Sequence, residues 1–335
     1  MTAVDSATKD QVALARRAIL ALVDRELAVT AQEIETRLCE HQQPGLPARL
    51  DPMDVRLARD DLEASGQIRR SHGRVPHNSR DLPLFTSPEP HDVERRDAVL
   101  EHKRDLLARY LSWTDGPDSP LTSAAEQVVH ASFQVAARSG YRIGQAPPSD
   151  VVIYVTTGPD GLPGPAILMP IEIRNTREWL MTHTRGLYQL LLKATRIQVT
   201  ESQVPMVPMF VCRRAHPQLL AMGHDLGFLV LETRREFILP SVAETAVSDV
   251  RSRLGLTDLT RTDEPDRLLV SRLEQIVPGL ATPLVTRWQR TAMTTIPLRF
   301  DDLVAEPTLA GRRRILSDIR ALAIEADLVG PRSVW

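Results

Sequence analysis

The stretch that decides the fold is PAILMPIEIRN, Pro165 to Asn175. It opens as an apolar run and closes with a carboxylate and a guanidinium two positions apart. In a strand, side chains alternate between faces, so Glu172 and Arg174 point the same way. Just upstream, VVIYVTT (residues 151–157) reads as another strand, and GPDGLPG between them is dense in turn residues. Two strands joined this way predict a β-hairpin. The midpoint between Asp150 and Glu172 is Gly161, in the middle of the turn. A hairpin closed there sets Asp150 nearly opposite Glu172, at roughly 4.5–5.5 Å in an antiparallel pair. Two carboxylates that close repel unless a cation lies between them. Oxygen ligands favour Mg2+ or Mn2+ over softer metals. Arg174 adds fixed positive charge on the same face, which suits phosphodiester hydrolysis. The alternative is that Asp150 merely ends a loop and that Glu172 and Arg174 are a solvated rim pair contributing little.

Working outward, residues 119–240 alternate helix and strand, the mark of an α/β or mixed-sheet core. SAAEQVVHASFQVAARSG (123–140) is helical, with Ala125, Val128, Val129, Phe133 and Ala136 near one face. RGLYQLLLKATRIQVT (185–200) is an amphipathic helix. VPMFVCRR (207–214) and FLVLET (228–233) read as further strands.

PSD (148–150), a hairpin, and EIR (172–174) resemble the PD-(D/E)XK nuclease superfamily, the restriction-endonuclease-like fold. The order of elements across 119–240 is similar to that family's core. The resemblance implies that Asp150 and Glu172 bind the metal, with Glu126 on the preceding helix completing the set. It also implies a catalytic or positioning role for Arg174 and, on the following helix, for Gln189 and Lys193, four residues apart on one face. Glu126 has a competing reading, because Ser123 to Glu126 spells the capping box S-x-x-E. The sequence departs from the family in carrying Arg174 where the usual residue is lysine. Arginine keeps the charge and grips phosphate bidentately, but it cannot act as a base. Lys193 could supply the ammonium instead, or the site could bind without cutting. Pro170, which lacks a ladder donor, predicts a bulge in its strand.

Residues 1–90 predict three helices and a basic hairpin. TAQEIETRLCEH opens with a capping box at Thr30 and Glu33. DPMDVRLARDDLEASG starts with Asp51 as N-cap and Pro52 at the first helical position. IRRSHGRV is expected to turn around Ser71–Gly73, and LPLFTSP could add another strand. This pattern resembles a winged helix-turn-helix domain. The resemblance implies DNA contact through Arg56 and Arg59 on the outer side of the third helix and Arg69, Arg70 and Arg74 on the wing. Asp60, Asp61 and Glu63 on the same helix argue for the alternative, a solvated or dimerisation surface.

Residues 91–118 read as a mixed-charge connector helix. Residues 241–335 read as a helical C-terminal region to which the sequence assigns no chemistry. The expected architecture is therefore α/β (α+β): a restriction-endonuclease-like mixed-sheet core flanked by helices, an N-terminal winged helix domain and a helical C-terminal region.

Composition narrows the class. Of 335 residues, 42% are apolar and 25% charged, which fits a soluble globular chain. No apolar run reaches the roughly 20 residues a membrane span needs, so no membrane partner is expected. The N-terminus lacks a secretory pattern, and two distant cysteines fit a reducing, cytoplasmic setting. Cys212 and His216 are spaced like half a zinc site with no second half. With net charge −2, nucleic-acid binding must come from local patches. The combined expectation is a cytoplasmic, Mg2+- or Mn2+-dependent DNA endonuclease, for which the resemblance implies a restriction or defence role. Two-strand cutting calls for two sites, which suggests a homodimer. The alternative is a winged-helix DNA-binding regulator or sensor whose nuclease-like domain is inactive.

Overall fold

The computed structural model describes residues 3–42, 46, 48–71, 83–114, 119–136, 141–144, 151–157, 163–331, 333 and 335. The chain runs α1 (Ala3–Glu26), β1 (Ala28–Thr30), α2 (Ala31–Glu35), α3 (Pro52–Ala64), β2 (Arg69–Ser71), β3 (Leu84–Thr86), α4 (Val93–Ser112) and α5 (Pro120–Ala136). It continues through β4 (Tyr141–Gly144), β5 (Val151–Thr157), β6 (Pro163–Arg174), α6 (Arg185–Thr200), β7 (Met209–Cys212), α7 (Pro217–Leu226) and β8 (Leu229–Glu232). The last elements are β9 (Glu236–Ile238), α8 (Glu244–Arg253), β10 (Leu259–Arg261), α9 (Arg267–Ala292), α10 (Ile296–Ala305) and α11 (Leu309–Glu325). Helices dominate and the sheets are small, an α+β protein. Among the described residues, no helix is long and apolar enough to cross a membrane.

Two compact units result. The first is Met1–Ser123 with Ile238–Arg261, and the second is Ala124–Phe237 with Thr262–Trp335. This division differs from the linear one expected from the sequence.

In the first unit, Thr30 and Glu33 close the predicted capping box: the Glu33 N–H donates to Thr30 Oγ1, and the Thr30 N–H donates to Glu33 Oε2, both at 2.9 Å. Asp51 caps α3 by accepting from the Met53 N–H, and the helix stops before Gly66 at φ +71°. Val55, Ala58 and Leu62 are buried, as their spacing predicts. The sheet order is β1-β3-β2, antiparallel throughout. The expected turn around Ser71–Gly73 is therefore not where β2 finds its partner. β2 pairs with β3, so Leu84–Thr86 is the central strand rather than an addition, and residues 72–82 lie outside the described set. The mixed-charge helix α4 is not a connector. Leu106, Leu107, Tyr110 and Leu111 share a core with Ala28 and Leu84, and Val247, Val250 and Leu254 of α8 complete it. Lys103 of α4 points inward, its Nζ at 2.8 and 2.9 Å from the two carboxylate oxygens of Glu33.

In the second unit, five strands lie in sequence order, β4-β5-β6-β7-β8. β4, β5 and β6 are antiparallel neighbours, and β7 and β8 extend the sheet in parallel with β6. Parallel neighbours need crossover helices, and α6 and α7 supply them. One face of the sheet buries Met169, Ile171, Met209, Val211 and Leu231 against Val129 and Phe133 of α5 and Leu269 and Leu273 of α9. On the other, Phe210 and Cys212 meet Leu187, Leu191 and Leu219 of α6 and α7, with Trp288, Phe300 and Ile319 behind. The C-terminal helices α9–α11 thus belong to the core of this unit.

Pro170 does not bulge β6. It pairs in regular register with Val152, and the register shift falls between Val155 and Thr157. Leu168 bonds toward the β7 side through both its N–H and its C=O. Strand alternation puts the missing donor of Pro170 on that same side, and the continuous β6–β7 ladder begins at Ile171, just past it.

Candidate functional site

β6 is the central strand of its sheet, and Glu172 and Arg174 lie at its carboxyl end. The observed register, Val151 with Ile171 and Val152 with Pro170, is the one a hairpin centred on position 161 requires. Asp150 and Gly161 themselves lie outside the described residues.

Glu172 is buried, with 10% of its side chain exposed, whereas Arg174 is 45% exposed. The Arg174 guanidinium lies 2.7 Å from Glu172 Oε1. Taking a carboxylate out of water is costly unless a cation compensates, and Arg174 supplies that charge from the same strand face. Gly186, in the first turn of α6, makes the arrangement fit. A Cβ there would stand 3.2 Å from an Arg174 terminal nitrogen and 3.5 Å from its guanidinium carbon. The absence of a side chain lets the guanidinium lie flat against the helix.

Gly186, Gln189 and Lys193 are spaced i, i+3 and i+7, so they form one stripe along α6. Gln189 is exposed and Lys193 half-buried, and the stripe begins beneath Arg174. The structure thus gathers Glu172, Arg174 and the stripe carrying Gln189 and Lys193 on one face of the sheet. Glu126 is placed differently. α5 packs through Val129 and Phe133 on the opposite face, and Glu126 stands exposed. The capping-box reading of Glu126 is overturned, because α5 begins at Pro120 and Ser123 lies within the helix. Ser119 receives the Thr122 N–H at the helix start instead.

The metal set expected from sequence is incomplete among the described residues. No group of three His, Cys, Asp or Glu side chains there could hold an ion, and Glu172 is matched by Arg174. The Cys212–His216 spacing has a structural explanation. Cys212 is buried and burial pushes its thiol pKa up, while His216 caps α7 by accepting from the Gln218 N–H at 3.3 Å.

In the first unit, the expected DNA-contacting arginines divide. Arg56 turns away from the outer side of α3 and grips Glu35, with nitrogens at 2.8 and 3.2 Å from its two oxygens. Arg59 pairs with Asp60 and lies 5.7 Å from the centre of the Phe85 ring. The exposed face of α3 carries Leu57, Asp60 and Asp61, with Asp61 paired to Arg16. That face is acidic and apolar rather than basic. Arg69 and Arg70 on β2 are exposed, Arg70 at 3.6 Å from Glu63, and Arg74 lies outside the described residues.

Two features beside the site escaped the sequence reading. Asn175 clamps β6 to Phe237: its Nδ2 donates to the Phe237 carbonyl and its Oδ1 accepts the Phe237 N–H. Arg177 is ion-paired with Glu236 at 3.2 Å, both buried, and buried Arg213 donates to the Arg177 carbonyl. The available signal was the run of arginines just after each strand. Comparison with protein-family models, curated proteins and solved structures finds no match for this chain.

Proposed function

We propose that this protein is a divalent-metal-dependent DNA endonuclease with a restriction-endonuclease-like core. The observation that carries the reading is the antiparallel β4-β5-β6 trio, extended in parallel by β7 and β8, with Glu172 and Arg174 at the end of its central strand. Glu172, with Asp150, would hold the Mg2+ or Mn2+, which would supply Lewis acidity for phosphodiester hydrolysis; Glu126, on the opposite face, is left out of that set. Arg174 offers the phosphate a planar pair of donors and offsets charge as it builds on the phosphoryl oxygens. Gly186 leaves room for the guanidinium, and Lys193 and Gln189 bind along the same stripe. Within the first unit, α1, α2 and α3 with the β1-β3-β2 sheet fit a winged helix whose exposed Arg69 and Arg70 meet backbone phosphates.

A second reading, a DNA-binding regulator with a silent nuclease core, is favoured by one observation: the arginine that replaces the family's lysine is engaged with Glu172. Incubation with plasmid DNA and Mg2+ or Mn2+ separates the two. Metal-dependent nicking that disappears in Asp150→Ala and Glu172→Gln supports the enzyme. DNA binding without metal-dependent nicking supports the regulator.

A further inference from the structure

Each of the three parallel strands β6, β7 and β8 has arginine at or just past its carboxyl end: Arg174 closes β6, Arg213 and Arg214 follow β7 directly, and Arg234 and Arg235 follow β8 after Thr233. Arg174, Cys212 and Glu232 stand in register across the sheet, so these arginines share one edge. β8 is two strands from β6, which separates their ends by about 10 Å.

Arg213 turns inward, but Arg234 and Arg235 turn outward with about half of each side chain exposed (52% and 50%). Arg234 has φ +58°, a left-handed conformation that glycine or asparagine adopts more cheaply. Its N–H is fixed on the Arg213 carbonyl, and Thr233 Oγ1 donates to the Arg235 carbonyl while accepting the Arg235 N–H. Strained backbone held by surrounding bonds is concentrated at functional positions. Arg272 of α9 reaches the same turn and donates to the Glu232 carbonyl. Burial lowers its pKa, and repulsion from Arg234 and Arg214 lowers it further against the pull of Glu232 and Asp266. Glu232 lies 3.5 Å from Arg234, and Asp266 lies 3.1 Å from Arg235. Among the described residues, four guanidiniums (Arg214, Arg234, Arg235 and Arg272) meet two carboxylates at this turn.

We propose that the β8–β9 turn is a second contact for the phosphodiester backbone of duplex DNA, gripping through Arg234 and Arg235 a polymer whose scissile segment lies at Glu172 and Arg174. The choice of polymer rests on the nuclease reading. A lattice of phosphates with high linear charge density suits a rigid row of guanidiniums.

The test is fluorescence anisotropy of a labelled DNA duplex titrated with the full chain in EDTA at a series of salt concentrations. In Arg234→Gln/Arg235→Gln the slope of log Kd against log salt falls by about 2, since each lost phosphate contact removes about 0.9. Arg234→Gly keeps the left-handed turn and lowers the slope by about 1, while Arg234→Lys/Arg235→Lys retains the wild-type slope. An unchanged slope and affinity in the glutamine pair overturns the proposal, as does a wild type that does not bind duplex. Arginine-dependent binding by a chain that never nicks plasmid upholds this surface and rejects the nuclease reading.

Discussion

Replacing Lys103 with methionine tests whether α4 is an integral part of the first unit. Glu33 is fully buried, and Lys103 supplies two of its closest contacts. After Lys103→Met, Glu33 keeps the Thr30 N–H at 2.9 Å and Arg37 at 3.7 Å. Removing one partner of a buried ion pair costs about 3–5 kcal/mol, and the surviving contacts place this case near the lower figure. For a unit of this size each kcal/mol moves the melting temperature by about 2–4 °C, so about 3 kcal/mol lowers it by about 6–12 °C. Glu33→Gln in the same chain removes the stranded charge and keeps the acceptor for Thr30, so the double variant recovers about half of the loss. Calorimetry reads the melting shift, and hydrogen exchange of the α2 and α4 amides localises it. A Lys103→Met melting temperature within about 2 °C of wild type, or a double variant weaker than the single, would refute the argument.

Further outcomes follow from particular contacts. Gly227→Ala fails to fold to wild-type stability, losing about 3 kcal/mol or more in urea unfolding, because φ is +87° and a Cβ would sit 2.2 Å from the Trp288 backbone nitrogen. Gly186→Val displaces Arg174 from Glu172, so the buried carboxylate loses its cation and the melting temperature falls; on the proposed nuclease reading, plasmid nicking falls with it. Burial pushes the thiol pKa of both Cys39 and Cys212 up. A disulfide reagent at pH 8 therefore labels neither in the folded protein and both in guanidinium. For Glu26, burial pushes the carboxyl pKa up, but Arg37, Arg25 and Lys103 bring it net below the ordinary value. Its stabilisation is present above the unfolded-state pKa and is lost as pH falls through the lower folded value. Acid titration of unfolding in Glu26→Gln should lack that component.

What was legible in the sequence was local. The capping box at Thr30 and the Asp51 cap each depend on residues within one turn of chain, and both are observed, as is the β5–β6 pairing in the register read from the sequence. Period-two alternation also sufficed to put Glu172 beside Arg174. The rest depends on distant partners. β1 is three residues long, too short to display alternation, and forms because β3 lies beside it. Arg56 looked outward until Glu35 was available to hold it. Lys103 read as surface charge because its partner lies 70 positions away. Helix α9 runs through both Pro278 and Pro283, which local propensity alone does not favour. Burial of Leu273, Leu284 and Trp288 on either side outweighs the roughly 3 kcal/mol a proline costs within a helix. Gly186 carries no pattern of its own and gains meaning only once Arg174 is laid across it.

The interleaving of the two units governs the order in which the chain can mature during synthesis. Val247, Val250 and Leu254, which close the core around α4, leave the ribosome only after most of the sheet carrying Glu172 has emerged. The first unit must therefore wait, with Leu106 and Tyr110 exposed, through translation of more than a hundred further codons. A nascent chain halted before residue 238 should engage chaperones in a way the finished protein does not.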